Sequence, residues 1–146
     1  MASLVDTSIL VYRCDPRDVA KRQAAANLLR QGQVSGEFRI CHQSLVEFVS
    51  AVTRSRAGRS SIMTLPDATR QAEYFLLQFP VLYPDEGVFR TALRGIAMYQ
   101  LSWFDAHLWA YAEYFGLDEI LSEDFEHGRI YGHVRIRNPF LALGLA

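Results

Sequence analysis

Scarcity narrows this chain before any motif does. Cysteine occurs only at Cys14 and Cys41, neither in a Cys-x-x-Cys pair nor near histidine at zinc-ligand spacing, which argues against a disulfide framework and a structural zinc site. Two reduced thiols are expected. No stretch approaches the roughly 20 apolar residues of a spanning helix, and Met1-Ala2-Ser3-Leu4-Val5-Asp6 carries no basic segment ahead of a long apolar run. A cytoplasmic protein without membrane contact is the expectation. Low-complexity tracts and runs of like charge are also missing, and a formal net charge of −1 provides no basic surplus of the kind that marks a dedicated nucleic-acid binder. Lysine is nearly absent. Lys21 stands alone and every other cationic chain except the histidines is arginine, whose planar fork grips phosphate or carboxylate bidentately, although host codon bias produces the same skew.

What is plentiful is core material. Half of the 146 residues are hydrophobic and 21% are charged, which suits one domain, 1–146, folded throughout. Ser3 to Val5 reads as a short strand ended by Asp6, followed by helix from Thr7 to Arg13 that Pro16 re-initiates and carries to Gln31. Phe38 to Cys41 reads as a second strand, and Ser44 opens a helix striped by Leu45, Phe48, Val49 and Val52. Further on come a helix from Pro66 to Phe79, a strand from Val81 to Tyr83, a helix from Asp85 to Tyr99 and another starting at Ser102. Glu119 to Leu121 and His133 to Ile136 complete about five short strands. Strands alternating with helices predict right-handed crossovers and a three-layer α/β/α domain with a central, mostly parallel sheet. Sites in such sheets lie beyond the carboxyl ends of the strands, at a switch in strand order.

Acids occupy those positions. Asp6 follows the first strand, Glu47 and Asp105 fall in the first turns of their helices, and Asp124 follows the fourth strand. Each also has a purely structural reading. Asp6 suits a helix N-cap. Ser44-Leu45-Val46-Glu47 and Ser102-Trp103-Phe104-Asp105 have the spacing of a capping box, and Asp124 sits among Glu123 and Glu126 in a polar loop. Convergence changes the balance, because carboxylates about 4 Å apart repel by roughly 4 kcal/mol per pair at an effective dielectric of 20. Such a cluster needs a counter-charge, and an all-oxygen donor set points to Mg²⁺ or Mn²⁺. That chemistry suits phosphodiester hydrolysis, with a carboxylate available as general base.

The words around these acids carry a resemblance. Leu4-Val5-Asp6-Thr7-Ser8-Ile9-Leu10, Gln43-Ser44-Leu45-Val46-Glu47-Phe48, Leu101-Ser102-Trp103-Phe104-Asp105-Ala106 and Leu121-Ser122-Glu123-Asp124-Phe125, with Asn138-Pro139-Phe140 near the end, together resemble PIN domains of the VapC toxin type. The likeness implies a Mg²⁺- or Mn²⁺-dependent endoribonuclease, the toxin of a toxin–antitoxin pair. Asp6, Glu47, Asp105 and Asp124 carry over as the acidic quartet, with Ser122 as a supporting hydroxyl. It further implies a homodimer, an RNA substrate and a cognate antitoxin that silences the enzyme, with an arginine entering the acidic site. Glu123 beside Asp124 is the alternative inward carboxylate. From a different class, the rival is a non-catalytic RNA- or protein-binding module on the same fold.

Other residues weigh less. Arg54, Arg56 and Arg59 follow the Glu47 helix and suit either RNA phosphates or a helix C-terminus. Arg13, Arg129, Arg135 and Arg137 read as surface charge, and His42, His107, His127 and His133 lack metal spacing. Tyr74, Phe75, Phe79, Trp103, Trp109, Tyr111, Tyr114 and Phe115 recur at helical intervals, as core or interface residues do.

Overall fold

The central strands Ser3–Val5 and Glu119–Leu121 are buried at every position, and successive side chains along a strand point opposite ways, so the sheet must be covered twice. In the computed structural model, which describes residues 1–145, this is what happens. The chain runs β1 (Ser3–Val5), α1 (Thr7–Cys14), α2 (Val19–Ser35), β2 (Phe38–Cys41), α3 (His42–Thr53), α4 (Leu65–Gln78) and β3 (Val81–Leu82). It continues through α5 (Glu86–Tyr99), α6 (Trp103–Tyr114), β4 (Glu119–Leu121), β5 (Ile130–Tyr131) and β6 (Val134–Arg137). Val5, Ile40 and Leu121 pack with Ile9, Phe48 and Phe75 from the α1–α4 side. Their strand neighbours Leu4, Cys41 and Ile120 pack with Val88, Ala92 and Trp109 of α5 and α6. The result is the three-layer α/β/α arrangement. Each fully buried large apolar side chain contributes roughly 1.5–3 kcal/mol relative to exposure.

The sheet order is β3-β2-β1-β4-β6-β5, parallel except for the β5–β6 hairpin. From β1 the chain builds outward through β2 and β3 on one side and returns to add β4 on the other. The order therefore reverses at β1, and the crevice between the carboxyl ends of β1 and β4 is the switch point. Asp6 N–H bonds the Leu121 carbonyl at 3.0 Å and holds those two ends together.

Element bounds differ from the sequence expectation in places, and the departures at β5, α2 and α3 have local physical reasons. There are six strands rather than five, because Gly132, at φ 63°, allows a two-residue turn that pairs Ile130–Tyr131 back onto β6. Pro16 lies in a turn, and α2 starts at Val19, where the Asp18 carboxylate accepts from Lys21 N–H; the helix then runs past Gln31 until Gly36 adopts the left-handed conformation. Helix α3 begins at His42, two residues earlier than Ser44, without a side-chain cap. Ser44 is fully buried and its hydroxyl meets Cys41 Sγ at 3.3 Å, so no capping box forms there and Glu47 sits beyond the first turn. Both sheet edges are two-residue strands, and β3 is bracketed by Pro80 and Pro84. No helix is long and apolar enough to cross a membrane among the described residues.

Candidate functional site

Asp6 caps α1 and does more than cap. One carboxylate oxygen accepts Thr7 N–H at 2.6 Å, while the other accepts the Ser122 hydroxyl at 2.6 Å and the Ser8 hydroxyl at 3.4 Å. The residue is 6% exposed and makes no salt bridge among the described residues. A buried carboxylate held only by neutral donors keeps its proton more tightly. Burial pushes the Asp6 carboxyl up to about 7; the Ser122 hydrogen bond opposes the rise, and the charges of Asp124 and Glu47 add to it.

Ser122 joins two of the acids. Fully buried, it donates its hydroxyl proton to Asp6 and accepts Asp124 N–H at 3.0 Å, so one oxygen fixes the buried carboxylate and the loop that carries the next. The Asp124 carboxyl is also pushed up, first by desolvation and then by the charge of Glu123, with Asp105 and Glu47 adding. Glu123 is engaged elsewhere: Lys21 Nζ bonds it at 2.9 Å and the Tyr12 hydroxyl donates to its other oxygen. Of the two adjacent acids, Asp124 carries the uncompensated charge.

Glu47 and Asp105 face the same space from two helices. Glu47 accepts the Thr7 hydroxyl at 2.9 Å and the Gln43 amide at 3.0 Å, and Gln43 also donates to the Phe104 carbonyl at 3.3 Å, which ties α3 to the start of α6. Asp105 gives its N–H to the capping hydroxyl of Ser102 at 3.2 Å, half of a capping box. No hydrogen bond occupies its carboxylate among the described residues.

These four acids line one open pocket of about 700 Å³ together with Thr7, Gln43, Glu123, the Asp15–Arg17 pair, Arg54 and Arg59. The Arg17 guanidinium holds the Asp15 carboxyl below its ordinary value. Asp6, Glu47, Asp105 and Asp124 have no such cation, and their oxygen-only donor set fits a hard divalent ion. They do not stand as a finished set of ligands. Among the described residues no three His, Cys, Asp or Glu side chains converge closely enough to hold a metal ion. The tight cluster expected from the sequence is therefore corrected to four acids that line one pocket, with Ser122 linking Asp6 to the loop of Asp124.

Several pocket residues escaped sequence reasoning. Thr7 lies in the same word as Asp6 and Gln43 stands four residues before Glu47, spacings that could have flagged both. Nothing local marked Arg17, or the Lys21 and Tyr12 contacts that dispose of Glu123. No histidine lines the pocket. Arg13 lies over Tyr74, Arg129 pairs with Glu126, and Arg137 pairs with Glu119, all of them away from it.

A parallel sheet with covered faces, whose switch point gathers acids lacking cationic partners, defines a carboxylate-centred α/β/α domain. The chain belongs to the PIN domain family, whose model matches residues 3–132. Solved structures agree on the fold at low identity. A toxin–antitoxin complex from Klebsiella pneumoniae is 16% identical with a TM-score of 0.67, covering 94% of this chain and 98% of that one. VapBC2 from Rickettsia felis, bound to a DNA fragment from its promoter, is 12% identical with a TM-score of 0.71 over 94% and 98%. VapC20 of Mycobacterium tuberculosis, a toxin that cleaves the sarcin-ricin loop, is 16% identical with a TM-score of 0.61 over 99% and 97%. No curated protein matches the sequence significantly.

Proposed function

We propose that this chain is a metal-dependent endoribonuclease acting as the toxin of a toxin–antitoxin pair, with its site at Asp6, Glu47, Asp105 and Asp124. The observation that carries the reading is charge: four pocket carboxylates lack a salt-bridge partner among the described residues, whereas Asp15 and Glu123 on the same wall each have one. Asp6, Asp105 and Asp124 would hold Mg²⁺ or Mn²⁺, with Glu47 bound directly or through water. When bound, the ion supplies Lewis acidity and offsets charge on the phosphate and the leaving oxygen.

The remaining work falls to side chains already in place. Ser122 orients Asp6 and the Asp124 loop, and Thr7 and Gln43 orient Glu47. A carboxylate of the four that is not fully engaged with the ion would accept a proton from the attacking water. The fold shared with a protein described as a toxin–antitoxin complex supports a protein inhibitor as partner. Exposed Phe89, Trp103 and Phe104 offer apolar surface for a homodimer.

The deciding experiment is cleavage of a mixed cellular RNA pool by purified protein with Mg²⁺, with Mn²⁺ and with chelator, beside Asp105→Asn. Metal-dependent cutting that is lost in the variant is the expected result. Folded, metal-supplemented protein that cuts nothing in any lane would favour a non-catalytic binding module.

A further inference from the structure

The acidic pocket does not end at its acids. It opens into a second cavity of about 180 Å³, and the two share Val11, Arg17, Ala51, Arg54 and Arg59 as lining. Arg56, Ser60 and Ile62 complete the second cavity, so four of its eight lining residues are arginines and none is acidic. Arg17 is already neutralised by Asp15, through bonds of 2.8 and 2.9 Å. Arg54 donates to the Ser50 hydroxyl at 3.0 Å and pairs with no acid, and Arg56 and Arg59 make no salt bridge among the described residues. Their backbones are fixed to each other, since Arg56 N–H bonds the Arg59 carbonyl at 3.1 Å and Arg59 N–H bonds the Arg56 carbonyl at 2.8 Å. Gly58, at φ 78°, permits the tight reversal between them.

A chain with a net charge of −1 has here placed three unpaired guanidinium groups around one hollow, continuous with a pocket of unpaired carboxylates. Guanidinium groups repel one another as carboxylates do; the charge of Arg59 acts on Asp15, which Arg17 already holds, and Arg54, Arg56 and Arg59 make no salt bridge among the described residues. An anion would compensate them. We infer that Arg54, Arg56 and Arg59 form a phosphate-binding subsite for the RNA backbone on one side of the bond that is cut. The inference rests on the nuclease reading above. Guanidinium forks match phosphate oxygens bidentately, and the spread over both cavities suits consecutive backbone phosphates rather than one isolated anion. A strand lying through both hollows would then have a fixed polarity, with its reacting phosphate at the acids and its neighbours at the arginines.

The test separates binding from cutting. Affinity of a short single-stranded RNA is measured by fluorescence anisotropy on the Asp105→Asn protein in chelator, over a series of salt concentrations, with and without Arg56→Ala/Arg59→Ala. Each phosphate contact on single-stranded RNA contributes about 0.7 to the slope of log affinity against log salt, so the double change should flatten that slope by about 1.4. It should also weaken binding roughly tenfold at low salt. Arg56→Lys/Arg59→Lys should retain most of the slope, which a merely structural role for these side chains would not require. In otherwise unaltered protein, the alanine pair should raise KM while leaving kcat within about twofold. An unchanged slope, absence of RNA binding by the parent protein, or an anion effect satisfied only by an acidic peptide would each overturn the subsite. Failure of the nuclease reading would look different: no cleavage by the unaltered chain, with the arginine-dependent slope still present.

Discussion

Two buried acids, one within a strand and the other just past the end of the neighbouring strand, have opposite fates. Glu119 begins β4, is 2% exposed, and accepts the Ser3 hydroxyl at 2.8 Å and the Arg137 guanidinium at 2.9 and 3.3 Å. Asp6 follows β1 and is nearly as buried, yet its donors are a backbone amide and two hydroxyls, and its charged neighbours are other acids. Burial alone therefore says nothing about role. A carboxylate that the chain neutralises from within belongs to the framework, whereas one left with repelling neighbours at the open end of the sheet awaits something from outside.

The hardest way to break this comparison is to remove the two charges separately. Asp6→Asn should lower RNA cleavage at least roughly a hundredfold with the melting temperature unchanged or raised, because a repulsive charge is lost while Ser122 can rotate to accept. Full activity in that variant, measured as initial rate per folded molecule, would break the comparison. Arg137→Ala should do the reverse. It leaves Glu119 buried without its cation and costs about 2 kcal/mol of stability in urea titration, toward the low end because the guanidinium is half exposed, with cleavage per folded molecule retained.

A subtler contrast is pH. The raised Asp6 carboxyl means that the folded state binds its proton more tightly than the unfolded chain does. Its stabilising contribution is complete below the ordinary carboxylate value and is lost as pH rises toward about 7. Metal-free protein should accordingly lose about 2 kcal/mol in urea stability between pH 5 and pH 7.5, and Mn²⁺ should restore more at pH 7.5 than at pH 5. A flat profile would mean that the pocket acids are already compensated. The smallest effect is expected at Lys21. Lys21→Met should slow cleavage about threefold by freeing Glu123 to compete with Asp124, and Lys21→Met/Glu123→Gln should recover the rate.

The sequence was most informative where one local pattern has one structural outcome. Apolar Ser3 to Val5 stopped by Asp6, and the Ser102 cap before Asp105, were readable as strand end and helix start. It was least informative where tertiary contacts decide. Ser44 has the chemistry of an N-cap but is drawn toward Cys41 instead, and the capping-box pattern cannot reveal that competition. Glu123 and Asp124 are indistinguishable as letters; Lys21 and Tyr12, remote in sequence, assign them. The arginine hollow needed the Gly58 reversal to bring Arg56 and Arg59 together, and a short bridge of that kind leaves no periodic signature.

The margins of the sheet have a consequence for crowded conditions. β3 and β5 are two residues long, and Pro80 and Pro84 stand on either side of β3, where a proline can donate no amide to a visiting strand. Backbone templating of fibres is blocked at that margin and has little purchase at the other. Edge-to-edge strand pairing between folded copies is therefore disfavoured, and amyloid-like growth at high concentration is not expected to start from the native sheet.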